Sequence, residues 1–120
     1  MWYKEKYRIV TENPYNKENL NGLGLVIYSE WKDSFVNIIQ KNEIKHLFLN
    51  YSLGWKCSDY TFLRYIKPIE TLEIIDTHSV GIKNVEQQHE LVTLCLNLPN
   101  ANDIDYHAFY HLKNVFCYGD

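Results

Sequence analysis

Five histidines, three cysteines and 15 acidic residues make up the metal-binding and acid–base material of this chain, and few stand at a working spacing. His107 and His111 lie four apart, so on a helix they would share a face. Two such imidazoles hold a metal only with a further ligand, for which Asp103 and Asp105 are the close candidates. Solvated histidines explain the pair more simply, and no metal is expected. Cys95 with His46 could act as nucleophile and base only if folding joined them. Glu70 with Glu73, or Asp103 with Asp105, could pair for proton transfer, yet carboxylates this close are common without any role. The chain has no Gly-x-Gly-x-x-Gly, no phosphate loop, no Gly-x-Ser-x-Gly and no Cys-x-x-Cys. We therefore expect a protein that is not an enzyme and carries no cofactor.

The elements that would hold these residues follow from an apolar pattern, Leu-x-x-Leu-x-Leu. It begins at Leu20, with Leu23 and Leu25, and returns at Ile44, Leu47 and Leu49, then at Ile69, Leu72 and Ile74. It returns again at Leu91, Leu94 and Leu96, and at Leu112, Val115 and Cys117. The period-2 core of each unit predicts short strands at Leu23–Ile27, His46–Asn50, Thr71–Ile75, Thr93–Asn97 and Asn114–Tyr118. Intervals this long between strands suit parallel crossovers better than hairpins. Between the strands, Asp33 could cap a helix carrying Phe35, Ile38 and Ile39. Ser58 or Asp59 could cap another through Ile66, stopped by Pro68. Val85–Glu90 and Asp105–His111 leave room for a turn or two.

This pattern resembles the leucine-rich repeat family over residues 20–118. The resemblance implies a single α/β domain, 1–120. It would be a leucine-rich-repeat-like solenoid with a parallel concave β-sheet and short convex helices or 3-10 turns. Residues 1–19 would cap about five repeats. The family's usual Asn at the ninth position is missing, since Ser52, Thr77 and Pro99 stand there and Asn50 and Asn97 fall two places early. The turns leaving the strands should therefore be irregular and supported by local side-chain hydrogen bonds.

Alternation puts the Leu-x-Leu residues in the core and their neighbours on the concave face. That face would carry His46, Phe48, Asn50, Glu73, Ile75, Cys95, Asn97, Phe116 and Tyr118, with Gly24 in the central row beside Phe48. Phe48, Ile75, Phe116 and Tyr118 should be exposed or covered by a partner, as binding anchors are. Self-covering by the N-terminal segment or by a second copy is the competing reading. Tyr51, Trp55, Asp76, His78 and Asn100 follow the strands along the rim, where loops carry recognition, and Trp55 beside Gly54 is the most conspicuous of them.

Composition agrees with a binding role. Hydrophobic residues at 46% and charged residues at 22% argue against disorder. A net charge of −3 argues against nucleic acid as partner. No apolar run is long enough to span a membrane, and no secretory signal is visible after Met1. Three widely spaced cysteines suit free thiols in a cytoplasm, and the Asn, Lys, Ile and Tyr usage looks bacterial. The expected function is a non-catalytic protein-binding module. The specific expectation is a bacterial immunity protein that blocks the active site of a cognate toxin, nuclease-like and basic. The alternatives are a structural protein that self-associates into a homodimer through its last strand, and, further off, a small enzyme around Cys95, His46 and Glu73.

Overall fold

Leucines alternating with polar residues make strands where the pattern falls. The computed structural model describes residues 6–57, 59–76, 81–97 and 103–117, with the main chain alone at Cys117. Among the described residues six strands form one sheet in chain order. They are β1 (Tyr7–Glu12), β2 (Asn19–Ile27), β3 (Ile44–Asn50), β4 (Thr71–Ile75), β5 (Thr93–Asn97) and β6 (Asn114–Cys117). β2 to β6 run parallel, and Leu47, Leu72, Leu94 and Val115 stand opposite one another along the sheet. The strands fall where the Leu-x-Leu units predict them.

The architecture differs from the expected solenoid with its wholly parallel sheet. The sheet is mixed, because β1 pairs antiparallel with β2. The cause is local. Asn13 Oδ1 accepts hydrogen bonds from the main-chain N–H groups of Tyr15 at 2.8 Å and Asn16 at 3.2 Å, closing a tight turn. A turn this short can join only antiparallel strands. The segment expected to cap the chain is thus half of a hairpin. The Cα radius of gyration is 13.3 Å, against about 13.6 Å from the scaling for a compact domain of this length. The molecule is a compact α/β unit.

The register of β2 also departs from the repeat alignment. Leu25 faces Leu47 and Ile27 faces Leu49, so β2 sits two residues later than the spacing implies. A slip of two keeps each side chain on its own face. The pairing also changes by one residue between Leu23, which faces Ile44, and Gly24, which faces His46; this lies next to Gly22, whose φ of 105° is open to glycine and rarely to other residues.

One face of the sheet carries the core. Leu25, Ile27, Leu47, Leu49, Leu72, Ile74, Leu94 and Leu96 are buried there. The connections cover them. α1 (Ser34–Lys41) contributes Phe35 and Ile39, and 3-10 helices at Thr61–Arg64 and Ile82–Gln87 contribute Leu63 and Val85. Asp33 precedes α1 but makes no side-chain cap, since its Oδ1 accepts from Trp31 Nε1 at 3.2 Å. Asp59 does not cap the helix expected through Ile66: a 3-10 helix at Thr61–Arg64 forms instead, with Tyr60 at its N-cap, and Asp59 Oδ1 accepts from the main-chain N and the Oγ1 of Thr61 at 3.0 and 2.7 Å. Ser58, the other proposed cap, lies outside the described residues. Gln88, 3% exposed, joins two connections: its Oε1 accepts from Ile69 N–H and its Nε2 donates to the Leu63 carbonyl.

Candidate functional site

The other face of the sheet is divided in two by the hairpin. The turn after β1 leans over β3, where the Tyr15 ring meets Phe48 edge-on at 6.3 Å and Asn50 Nδ2 donates to Tyr15 Oη at 3.4 Å. Gly24 makes this closure possible. A Cβ there would stand 2.9 Å from Leu20 Cδ1, 3.0 Å from Phe48 Cε2 and 3.1 Å from Val10 Cγ2. Phe48 is fully buried, so the expectation that it is an exposed anchor is wrong. The hairpin of the same chain covers it, because an apolar ring on a sheet face gains more from burial than from water. Opposite Phe48 in the row stands Val26, with Gly24 facing His46 instead.

His46 and Asn50, both expected on the open face, are also buried. His46 Nε2 lies 2.9 Å from the Asn21 carbonyl and Nδ1 lies 2.7 Å from Thr71 Oγ1. A carbonyl only accepts, so Nε2 carries hydrogen and, in the neutral ring, Nδ1 accepts a hydrogen bond from the threonine hydroxyl. Both nitrogens are occupied in tying β2 to β4. Asn50 Oδ1 accepts from Ser52 N and Oγ at 3.0 and 2.8 Å, closing the turn out of β3 by the local bonding expected of an irregular turn.

Beyond the hairpin, β4, β5 and β6 remain open. A groove of about 550 Å³ runs between their face and the turn, lined by Thr71, Glu73, Thr93, Cys95, Asn114 and Phe116 on the strand side. Asn13, Tyr15, Asn16, Glu18, Asn19 and Leu20 form the other wall. The row Phe48, Glu73, Cys95, Phe116 thus passes from covered to open. Phe116 is 46% exposed, and Glu73 and Cys95 are part-buried. Burial raises the Glu73 pKa, and its hydrogen bond with Cys95 opposes that shift. Burial likewise raises Tyr15, which accepts from Asn50. Glu18 and Glu73 are the charged residues of the lining. Ile75 and Asn97 lie part-buried farther along the same strands. Tyr118 lies outside the described residues, as do His78, Asn100, Thr77 and Pro99. The hairpin wall was not read as part of a site; the Asn-rich turn at 13–16 was its sole signal.

No protein-family model, curated protein or solved structure matches this chain. The resemblance to leucine-rich repeats therefore rests on residue spacing alone.

Trp55 is not an exposed rim residue. It is fully buried and hydrogen-bonded, donating from Nε1 to Tyr60 Oη at 2.9 Å, while Tyr60 Oη donates to Asp76 Oδ2 at 2.6 Å. Burial, then the Asp76 carboxylate, hold the Tyr60 phenol far above its ordinary pKa, so it remains a donor. Around this relay the rings pack closely: Trp31 stacks on Phe62 at 3.9 Å, and Trp55 meets Phe62 edge-on at 5.9 Å. Cys57, next to Trp55, has its thiol pushed up by burial, partly offset by main-chain N–H groups of Tyr60 and Asp59.

The two histidines proposed as metal ligands take separate partners. His107 Nδ1 lies 3.2 Å from Asp105 Oδ1, and His111 Nε2 lies 3.9 Å from Glu90 Oε1. The 3-10 helix Tyr106–Ala108 ends before His111, so the helical face that would have joined them does not form. Among the described residues no helix is long and apolar enough to cross a membrane.

Proposed function

We propose that this chain is a non-catalytic, cytoplasmic protein-binding module whose contact surface is the groove between the hairpin turn and β4–β6. The observation that carries this reading is the groove's lining, which combines two carboxylates and an exposed aromatic ring with no basic side chain. Such a surface favours a partner segment bearing a basic residue beside an apolar one. Opposite charge speeds the encounter, and the ring supplies the anchor. A basic toxin with a nuclease-like cleft fits this description, and an immunity protein that occludes such a cleft is the role we assign. His46 does not support the enzymatic alternative, since both its nitrogens are engaged away from Cys95.

The test is co-expression with each product of the genes flanking its own, followed by co-purification of wild type, Glu73→Lys and Phe116→Ala. One stoichiometric partner, held by the wild type and lost from both folded variants, is the expected result. A partner that both variants retain, or no partner at all, would overturn it.

A second reading has its own support. Among the described residues β6 has one strand neighbour, and Val115 and Phe116 on its opposite faces are 44% and 46% exposed. Such an edge could pair with a second copy. Sedimentation showing a concentration-dependent dimer, abolished by Val115→Lys, would favour self-association.

A further inference from the structure

A second concavity lies away from the groove, past the carboxyl ends of β2, β3 and β4. The segments leaving these strands surround it, and Glu30 and Lys56 bridge two of them through their main chains. It has a volume of about 610 Å³, within the range of small-molecule sites.

The lining has two components. Trp31 and Tyr51 supply accessible aromatic surface, and the buried rings of Trp55 and Phe62 lie beneath them. Glu30, Asp59 and the buried Asp76 supply three carboxylates; Lys56 lies in the lining and Lys32 pairs with Glu30 at 3.8 Å, which leaves an excess of one negative charge. The floor is rigid, because Asp76 and Trp55 are joined through the Tyr60 hydroxyl and Trp31 is stacked on Phe62. Asp59 is held in place by its two bonds from Thr61.

This combination selects by charge. Aromatic rings attract cations through their negative faces. An anion would meet excess negative charge, and a neutral ligand would dehydrate carboxylates without pairing them. We propose that this cleft binds a small organic cation, an ammonium group carried on a flat apolar body. The site is distinct from the protein-binding groove, and each can fail without the other.

The full chain would be titrated with benzyltrimethylammonium and with its uncharged near-isostere benzyl dimethyl carbinol. Tryptophan fluorescence is the readout, since Trp31 and Trp55 line the cleft. We expect saturable binding of the cation and about tenfold weaker binding of the alcohol, the ratio that one cation–π contact of moderate strength supplies. Asp59→Asn and Tyr51→Ala change exposed side chains, so both should melt like the wild type and bind the cation several-fold more weakly. Equal affinity for the two probes, no saturable binding of the cation, or undiminished binding by both variants would overturn the proposal.

Discussion

Replacing Tyr60 with phenylalanine isolates the buried relay that anchors the aromatic cluster. The ring volume is kept, so no cavity opens and only hydrogen bonding changes. Two bonds are lost: the 2.6 Å bond to Asp76 and the 2.9 Å bond from Trp55. A hydrogen bond to a charged acceptor contributes about 1.5–3 kcal/mol, and a buried donor left unsatisfied costs about 1–3 kcal/mol. Water in the adjoining cleft can take up part of the loss, so the two do not add in full. We expect a destabilisation of about 3 kcal/mol, which for this length of chain lowers Tm by roughly 10–15 °C. Urea unfolding followed by circular dichroism gives the free energy, and calorimetry gives Tm. In a Trp55→Phe background the same change should cost less, because the orphaned indole N–H is already gone. A Tyr60→Phe protein melting within about 2 °C of wild type would refute the relay as a stabilising element.

Phe48→Ala should destabilise by about 3–5 kcal/mol, whereas Phe116→Ala should stay within about 1 kcal/mol, because one ring is enclosed and the other half open; similar losses in denaturant titrations would contradict the covered and open halves of the sheet. Glu73→Gln should be more stable than wild type at neutral pH. The folded state raises the Glu73 pKa, so charging it destabilises the native form as pH rises through the interval between unfolded and folded values. The advantage should vanish below about pH 4, where Glu73 is protonated in both states, and an advantage that persists there would assign the effect to something other than ionisation. Cys57, kept as the only cysteine by Cys95→Ser and Cys117→Ser, should react with iodoacetamide more slowly at pH 8 than a free thiol, since burial disfavours its thiolate; a rate equal to that of free cysteine would mean the thiol is open to solvent.

The parallel strands were legible because period-2 leucines mark both their position and their buried face. Leu47, Leu72 and Leu94 could be placed in one row before any coordinates. The N-terminal third was not legible on those terms. Its antiparallel pairing depends on a turn closed by one asparagine side chain, and its two-residue slip runs along Gly24–Ile27. Neither leaves a mark in hydrophobic periodicity. Phe48 was misplaced for a related reason: alternation assigns a side chain to a face but does not say what else lies on it, and Tyr15 is 33 positions away. The burial of Trp55 is not legible because its partner Tyr60, itself bonded to Asp76, meets it only in three dimensions. The open part of the face, with Glu73, Cys95 and Phe116, followed from alternation alone.

Chain order and spatial order coincide in this sheet, so each strand's partners are its neighbours in sequence. From β2 to β6 each connection closes a loop of similar length, and the entropy of closure is nearly the same at each of those steps. Among the described residues β6, like β1, has one strand neighbour, so the sheet can grow, or fray, one strand at a time from that end. Release of β6 would remove the Leu94–Val115 pairing and leave the Leu47–Leu72 and Leu72–Leu94 pairings in place. The least stable part of a domain is also the part that can rearrange around a partner. One wall of the groove is thus tied to the packed sheet through Tyr15 over Phe48, and the other, at Phe116, belongs to an edge strand held from one side.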